Sequence, residues 1–397
     1  HGGLLNPWHT YLTGKSATAL AFPYGMVMFI FLLPGLLIGK LFAQIFSNEL
    51  LVNFGFSLNL IIFETILLYF TYKIAKKVFS ENFSTNLFLL LTWFSPIMFY
   101  ICYYHGQLDV IPVMLLFISL YFVSVHRPKI AGLFLAMAAT AKFSMMISVP
   151  FLIIYYLNNK KIRSDIQDFI SVFVISSIIL LLPVITSPEA IKMVLMTPES
   201  EKIFDISLAM REDLKIYILP LLYLIVLYTV WRIKRISFEL LVALLGIGFF
   251  IVILLTPASA GWFLWVCPFL AIHQLSAEIR QKQLVLGFSM IFILFHLIQS
   301  SGVYIPYFNL SYSEPLSQLY NISQKDISII LTLLVATGGI ICFRIAMNGV
   351  LSNDFFRLSR KPLFIGISGD SGSGKDTLAQ SLIELLGRES VAHISGD

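Results

Sequence analysis

The chain has 397 residues, of which 58% are hydrophobic and only 12% are charged, and its formal net charge is +5. Soluble domains carry about a quarter charged residues, so this composition excludes a single soluble core. The lysines and arginines form short tracts between apolar runs, a pattern that orients membrane proteins and does not predict a nucleic-acid partner. The three cysteines have no metal-ligand or redox spacing, so we expect neither disulfides nor zinc.

Apolar segments recur along residues 1–347, and most are long enough to cross about 30 Å of hydrocarbon as a helix. The predicted segments are 23–46, 51–72, 84–103, 108–125, 130–157, 167–187, 214–231, 237–256, 262–275, 284–300 and 326–347. They predict an all-α polytopic membrane protein with about ten or more membrane helices in residues 1–347.

Basic tracts between these segments predict the orientation, because such tracts stay in the cytoplasm. Segments 23–46 and 130–157 must then each begin and end on one side of the membrane. We expect the first to break at Pro34-Gly35 and the second to turn near Lys142. Residues 1–50 then lie outside, and the C-terminal part of the chain lies in the cytoplasm, in a membrane that is interpreted as the bacterial cytoplasmic membrane.

The composition changes after residue 347. Residues 348–362 form a polar, basic linker, and residues 363–397 have the composition of a soluble α/β domain. PLFIGIS, ending at Ser368, predicts a buried strand, Lys375–Leu386 an amphipathic helix, and VAHIS, ending at Ser395, a second strand. This is the first βαβ unit of a P-loop domain.

A glycine-rich motif lies between this strand and helix. Its residues are Gly369, Asp370, Ser371, Gly372, Ser373, Gly374, Lys375, Asp376 and Thr377. The motif matches G-x-x-x-x-G-K, in which backbone N–H groups, the helix N-terminus and the lysine bind nucleotide phosphates. Asp376 stands where a Ser or Thr usually holds Mg²⁺, so either Thr377 or the Asp376 carboxylate takes that role. The predicted cofactors are ATP and Mg²⁺.

The stretch from FIGISGDSGSGKDTLAQ to HISGD resembles the uridine kinase and phosphoribulokinase family over about 35 residues. The resemblance implies a phosphotransferase domain in which the acid after the second strand lies beside the acceptor hydroxyl. Asp397 is then a candidate general base. The alternative is that Asp397 is an ordinary turn residue.

A charge within an apolar segment is costly unless it is used or paired, and three such residues are candidates for a function or a structural contact. Asp109, in the sequence YYHGQLDVIP, either takes part in chemistry or caps a helix. Lys142 should meet a carboxylate, carbonyls or an anionic ligand, unless it extends to the membrane interface. For Glu64, the other acid within an apolar segment, we predict a structural polar contact and not a catalytic role.

NPWHTYL, AFPYG, GQLDVIP, the G-x-x-x-A-x-x-A-x-x-K hairpin and TPASAGWFLWVCPFL resemble polytopic GT-C glycosyltransferases, most closely the mannosyltransferase-like members. The resemblance covers about residues 1–300 and implies sugar transfer from a polyprenyl-phosphate donor to a glycan or lipid acceptor outside the cell. It makes Asp109 and His105 candidate catalytic residues, and it makes Lys142, Gln107 and His9 candidate ligands of the lipid phosphate. It also leaves room for a divalent metal at the outer site. Trp8, Trp262 and Trp265 either stack on sugar or lie in the aromatic belt of the membrane.

We therefore expect a membrane-embedded glycosyltransferase joined to an ATP-binding, kinase-like domain, with the bilayer, the sugar donor, the acceptor and ATP as partners. The alternatives are a lipid or solute transporter or flippase with a nucleotide-binding domain, and a membrane-anchored nucleoside or sugar kinase. We also expect the chain to be a fragment at both ends. GT-C enzymes carry a catalytic acid in the first outer loop, whereas this chain has no acid before Glu49, so that acid is predicted to lie upstream of His1.

Overall fold

The computed structural model describes residues 6–13, 22–79, 83–211, 213–256, 258–299, 303–305, 310–312, 316–353, 356, 364–387 and 391–394. The chain divides into two compact units, His1–Phe355 and Phe356–Asp397. Asp397, the predicted general base of the kinase-like domain, lies outside the described residues.

The first unit is built from α-helices. They are α1 (Pro7–Thr13), α2 (Met26–Phe46), α3 (Leu50–Val78), α4 (Thr85–Leu91), α5 (Pro96–Phe99), α6 (Val110–Ser124), α7 (Pro128–Ala141), α8 (Val149–Asn158), α9 (Asp165–Ile185), α10 (Pro188–Ala190), α11 (Ile218–Arg232), α12 (Phe238–Leu254), α13 (Cys267–Ser276), α14 (Ile279–Gln299), α15 (Leu316–Leu319) and α16 (Gln324–Ser352). Short 3₁₀ segments cover Phe143–Ser148, Pro198–Phe204 and Ala260–Trp265, and π-helical turns cover Tyr100–Tyr104 and Ile191–Leu195.

Two small antiparallel hairpins complete this unit. Strand β1 (Ser207–Arg211) pairs with β2 (Leu214–Tyr217), and β3 (Val303–Ile305) pairs with β4 (Leu310–Tyr312).

Among the described residues, five helices are long and apolar enough to cross a membrane: α2, α3, α9, α14 and α16. A sixth crossing arises if α4 and Pro96–Tyr104, which are bent by 51°, form one broken span. The shorter apolar segments α6, α7, Phe143–Asn158, α11 and α12 fall below that length. The chain is therefore an integral membrane protein with five candidate spans, while the count of ten or more membrane helices stays a prediction.

The predicted break in segment 23–46 is wrong, because α2 continues through Pro34. Proline removes a backbone hydrogen bond and displaces the carbonyl of the preceding turn. Pro34 removes the donor of the Ile30 carbonyl, and the Asn59 amide of α3 donates to the neighbouring Phe31 carbonyl at 2.9 Å, which ties α3 to α2 beside the proline. A side chain at Gly35 would lie 2.4 Å from Asn59 Cβ, so the glycine permits this close helix contact. The predicted turn near Lys142 is confirmed, because α7 ends at Ala141 and Lys142 is extended.

The helix ends that carry the basic tracts lie together at one end of the helical unit. Lys77 at the end of α3 donates to the Ser124 carbonyl at the end of α6. Asn158 at the end of α8 donates to the Ile233 carbonyl at 2.7 Å, and Asn353 after α16 donates to the Arg235 carbonyl at 3.0 Å. This grouping agrees with a common side for the basic tracts, whereas the assignment of that side to the cytoplasm stays a prediction.

In the second unit, the predicted helix is confirmed as α17 (Lys375–Leu386). No strand occurs in the described residues 364–370 and 391–394. A β-strand needs a neighbour for its hydrogen bonds, and the described part of this unit offers none. Of the predicted βαβ unit, the described residues therefore show the loop and the helix but not the two strands.

Candidate functional site

The central feature of the helical unit is a buried ion pair between Asp109 and Lys142. The Lys142 ammonium donates to Asp109 Oδ2 at 2.6 Å, and the two residues are 0% and 8% exposed. Asp109 precedes α6 and Lys142 follows α7, so two antiparallel helices bring together residues that are 33 positions apart. The prediction that Lys142 meets a carboxylate is confirmed. The two residues are direct partners and do not face each other across an open cavity.

Two further side chains donate to the same carboxylate. The Tyr24 hydroxyl lies 3.1 Å from Asp109 Oδ1, and the Trp265 indole N–H lies 2.6 Å from Asp109 Oδ2. Burial, with a smaller contribution from the adjacent Asp109 charge, raises the pKa of Tyr24 well above its usual value, so its hydroxyl stays protonated. Asp109 makes no helix-capping bond with its side chain. The capping interpretation is therefore wrong, because these three donors occupy the carboxylate.

Aromatic rings form a cage around the Lys142 ammonium. Its nitrogen lies 5.2 Å from the ring centres of Tyr24 and Trp262, and 5.1 Å from that of Trp265. The two indoles stack with centres 5.0 Å apart. Ring faces attract cations, so the cage and Asp109 together stabilise a charge that is almost removed from water. We call this cluster the Asp109–Lys142 network.

The backbone close to the network is tightly packed. Gly25 donates its N–H to the Ala141 carbonyl at 3.0 Å, and a Cβ at Gly25 would lie 1.8 Å from the Thr140 carbonyl oxygen. The Trp8 indole donates to the Tyr24 carbonyl at 3.0 Å. Trp8 and Trp265 are 0% and 1% exposed, so neither lies in an aromatic belt at the membrane surface.

A large apolar cavity lies beside the loop that precedes Asp109. Its volume is about 1220 Å³, and its lining includes His105, Gly106 and Leu108 from that loop. The apolar wall contains the rings Phe56, Phe263, Phe288, Phe292 and Phe295. This volume exceeds that of most small-molecule pockets and suits a long apolar chain.

Polar groups from three separate segments also line this cavity: His105, Asp205 and His296. Burial lowers the pKa of His105, and the nearby Asp109 charge partly opposes that effect. A lowered pKa leaves the imidazole neutral near pH 7 and able to accept a proton. Among the described residues, no cluster of three or more His, Cys, Asp or Glu side chains has the arrangement of a metal site.

The two other predicted phosphate ligands are placed differently. The Gln107 side chain packs against Gly261, where an added Cβ would lie 2.2 Å from the amide oxygen. His9 Nδ1 lies 2.9 Å from Glu189 Oε1, and Ser187 donates to Glu189 Oε2 at 2.8 Å. The hydrogen bond with His9 is the main cause that lowers the pKa of Glu189 to about 2. His9 therefore anchors α1 to α10.

Glu64 lies buried in α3, and its side chain forms hydrogen bonds with Tyr103 and Cys102. The Trp93 indole donates to the same Tyr103 hydroxyl at 2.7 Å. These contacts agree with the structural interpretation of Glu64.

The glycine-rich loop precedes α17. Gly372 and Gly374 have φ angles of 82° and 79°, a backbone region in which glycine is favoured. Ser373 donates its N–H to the Asp370 carbonyl at 3.2 Å, and Lys375 begins the helix. The loop therefore turns directly into the N-terminus of α17, and Asp376 and Thr377 follow in the first helical turn.

Three residues that the sequence did not single out complete the site: Tyr24 donates to Asp109, and Asp205 and His296 line the cavity. Trp265 was predicted to stack on sugar or to lie in the aromatic belt, whereas its indole donates to Asp109. No spacing in the sequence connects these positions, which are up to 272 residues apart (296 minus 24).

No protein-family model, no curated protein and no solved structure matches this chain. The resemblances to GT-C glycosyltransferases and to uridine kinases therefore stay predictions.

Proposed function

We propose that this protein is a membrane glycosyltransferase of the GT-C type. It transfers a sugar from a polyprenyl-phosphate donor to a glycan or lipid acceptor on the extracytoplasmic side of a bacterial membrane. One observation carries the proposal: an apolar cavity of about 1220 Å³ with His105 and Asp205 in its lining, in a protein with candidate membrane spans. A long isoprenoid chain needs such a volume, and its sugar needs polar groups at one side of it.

In the proposed reaction, an acceptor hydroxyl attacks the anomeric carbon of the donor. The new oxygen–carbon bond forms while the bond from carbon to the phosphate oxygen breaks, and the lipid phosphate leaves with that electron pair. The hydroxyl proton passes to a base. We assign this role to His105, whose lowered pKa favours a neutral imidazole, or to Asp205.

The Asp109–Lys142 network then has a positioning role. Three donors already occupy the Asp109 carboxylate, which is 0% exposed, so we assign its oxygens to holding these side chains in place. The network fixes the end of the loop that carries His105. We assign the departing phosphate to Lys202, because its side chain is more exposed than that of Lys142. The Lys202 ammonium lies 5.6 Å from the centre of the Trp262 ring and 2.8 Å from Glu199.

The second part of the proposal concerns the glycine-rich loop, which we assign to ATP. The positive φ angles of Gly372 and Gly374 and the position of Lys375 at the helix start support this assignment. Mg²⁺ takes one or two protein ligands and completes its shell with phosphate and water, so Thr377 or Asp376 suffices to hold it. When bound, the metal supplies charge neutralisation at the phosphates.

Sugar transfer is tested with the full chain in lipid nanodiscs and a panel of radiolabelled polyprenyl-phosphate sugars. We expect release of polyprenyl phosphate, and we expect His105→Ala or Asp205→Asn to lower its rate about 100-fold. His126→Asn and Asp168→Asn are matched controls, because both residues are exposed and lie with the basic helix ends. No release with any donor would contradict the proposal. Donor movement across the bilayer without release would favour a flippase.

Nucleotide binding is measured by calorimetric titration of ATP into the full chain, with and without Mg²⁺. We expect Lys375→Ala to abolish binding, whereas Lys129→Ala leaves it unchanged. A loss of Mg²⁺ dependence in Thr377→Ala assigns the metal to that hydroxyl, and the same loss in Asp376→Ala assigns it to the carboxylate. Equal ATP affinity of the wild type and Lys375→Ala would refute the assignment.

A further inference from the structure

The β1–β2 hairpin has an apolar face that stays exposed among the residues that the structure describes. Its register pairs Leu208 with Ile216 and Ala209 with Lys215, and it shifts by one residue only beyond Ala209. Directly opposed residues point to the same side of a hairpin, and successive residues point to opposite sides. The Leu208–Ile216 pair therefore lies on one face and the Ala209–Lys215 pair on the other.

The two faces differ in polarity and in their relation to the protein. Tyr217 shares the face of Lys215, and its ring packs edge-on against Phe204 at 5.0 Å between centres. That face is therefore directed toward the preceding 3₁₀ segment. On the opposite face, Leu208 and Ile216 are 59% and 39% exposed. If the hairpin buried its apolar residues against its own protein, Leu208 and Ile216 would be covered and the face with Lys215 would be exposed.

The base of the hairpin is part of the cavity rim. Asp205 and Ile206 line the cavity, and the Ile218 N–H donates to the Ile206 carbonyl at 3.0 Å. This bond joins the start of β1 to the start of α11. Any surface that holds the hairpin in place therefore also positions one wall of the cavity.

Helix α11 continues directly from β2 and also exposes apolar side chains. Leu224 is 63% exposed, Ile225 is 51% exposed and Tyr228 is 60% exposed. In a chain with candidate membrane spans, an exposed apolar helix side of this kind faces lipid. The hairpin comes directly before this helix in the chain, because β2 ends at Tyr217 and α11 begins at Ile218. The apolar face of the hairpin is therefore adjacent in sequence to the lipid-facing helix.

We propose that the β1–β2 hairpin inserts its Leu208–Ile216 face into the interfacial region of the bilayer and holds the cavity rim at the lipid surface. The occupant of this face is the bilayer itself. Two strands leave peptide groups unpaired at both edges, and such groups are not tolerated in the hydrocarbon core. The hairpin therefore lies at headgroup depth, as amphipathic interfacial elements do. This inference depends on membrane insertion of the protein and not on sugar transfer.

The test measures the lipid exposure of the two faces by spin labelling of the full chain in nanodiscs. Single cysteines replace Leu208 or Ile216 on the apolar face, and Ala209 or Lys215 on the other. Collision rates with oxygen, which is concentrated in lipid, and with a water-soluble nickel complex are compared at each position. We expect an oxygen-to-nickel ratio that is at least about fivefold higher on the apolar face. The native cysteines Cys102, Cys267 and Cys342 are buried, and the unsubstituted chain measures their background labelling.

Two outcomes would overturn the inference. Equal ratios on both faces, with high collision rates for the nickel complex, would show that the hairpin stands in water. Low collision rates with both reagents at Leu208→Cys and Ile216→Cys, rising when the protein is diluted to one copy per nanodisc, would show that a second copy covers the face. Because each cysteine replaces an exposed side chain, the variants keep the fold, and their thermal unfolding verifies this.

Discussion

The Asp109–Lys142 pair should be strongly coupled in stability, because each partner is buried and neutralises the other. Removing one partner from a buried ion pair costs about 3–5 kcal/mol, since the remaining charge stays unpaired. Asp109→Leu should lie at the upper end of this range, because it also leaves the Tyr24 hydroxyl and the Trp265 indole without their acceptor. Lys142→Met should cost about 3 kcal/mol, because those two donors still stabilise the carboxylate.

The double variant Asp109→Leu/Lys142→Met removes both charges together. It leaves two unpaired donors, at about 1–2 kcal/mol each, so its cost should be about 2–4 kcal/mol. The single costs sum to about 7–8 kcal/mol, which gives a coupling free energy of at least about 3 kcal/mol. The measurement is a double-mutant cycle on the free energy of unfolding, obtained by reversible SDS titration in mixed micelles and followed by circular dichroism.

The control is a second ion pair of the same chain. Lys129 and Asp168 lie 3.7 Å apart, with side chains that are 67% and 53% exposed. Exposed pairs of this kind contribute at most about 1 kcal/mol, so the cycle Lys129→Met/Asp168→Leu should show a coupling below about 1 kcal/mol. A coupling energy for Asp109 and Lys142 no larger than that of the control would refute the assignment of a buried, mutually neutralised pair.

Three further predictions concern packing and pH. Gly25→Ala should destabilise the protein by more than about 2 kcal/mol and lower its yield of folded chain in size-exclusion chromatography, because the added Cβ meets the Thr140 carbonyl oxygen. Asn59→Ala should cost about 1–3 kcal/mol in the same SDS titration, because the Phe31 carbonyl beside the helix proline loses its donor, whereas Asn59→Gln tests the need for the shorter amide. Glu189 has a lowered pKa of about 2, so its stabilising effect is present above its usual pKa and is lost as the pH falls toward 2. Thermal unfolding from pH 5 to 2 should therefore fall more steeply for the wild type than for Glu189→Gln, and parallel curves would contradict the His9 contact.

The sequence predicted the features of this fold that follow from local chemistry. Long apolar runs indicated helices of membrane length, and basic residues at both ends of segment 130–157 indicated the turn after α7. The lone charge of Lys142 indicated the need for a partner. The glycine-rich motif indicated the turn before α17. Each of these predictions depends on residues within one helical turn or one loop, where backbone propensity and desolvation act directly.

The failures share a different origin. Pro34 was predicted to break a helix, and that prediction follows correctly from local rules. The helix nevertheless continues through Pro34, where Asn59 of the next helix donates to the adjacent Phe31 carbonyl and packs against Gly35. In the same way, the partners of Asp109 come from segments far apart in the chain. A single sequence contains no periodicity that reports such contacts, so they become visible only when the helices are assembled.

Asp109 lies in a buried network, whereas the proposed reaction takes place in the open cavity. The most prominent charged residue of the sequence is therefore not the one that we propose to react. Asp109 was the natural catalytic candidate, because an acid at the start of an apolar helix is costly unless it has a purpose. The structure supplies a different purpose, since the carboxylate offsets the Lys142 charge and accepts two further hydrogen bonds. The proton acceptors that we propose, His105 and Asp205, line the cavity instead, at loop ends that the network and the hairpin hold in place.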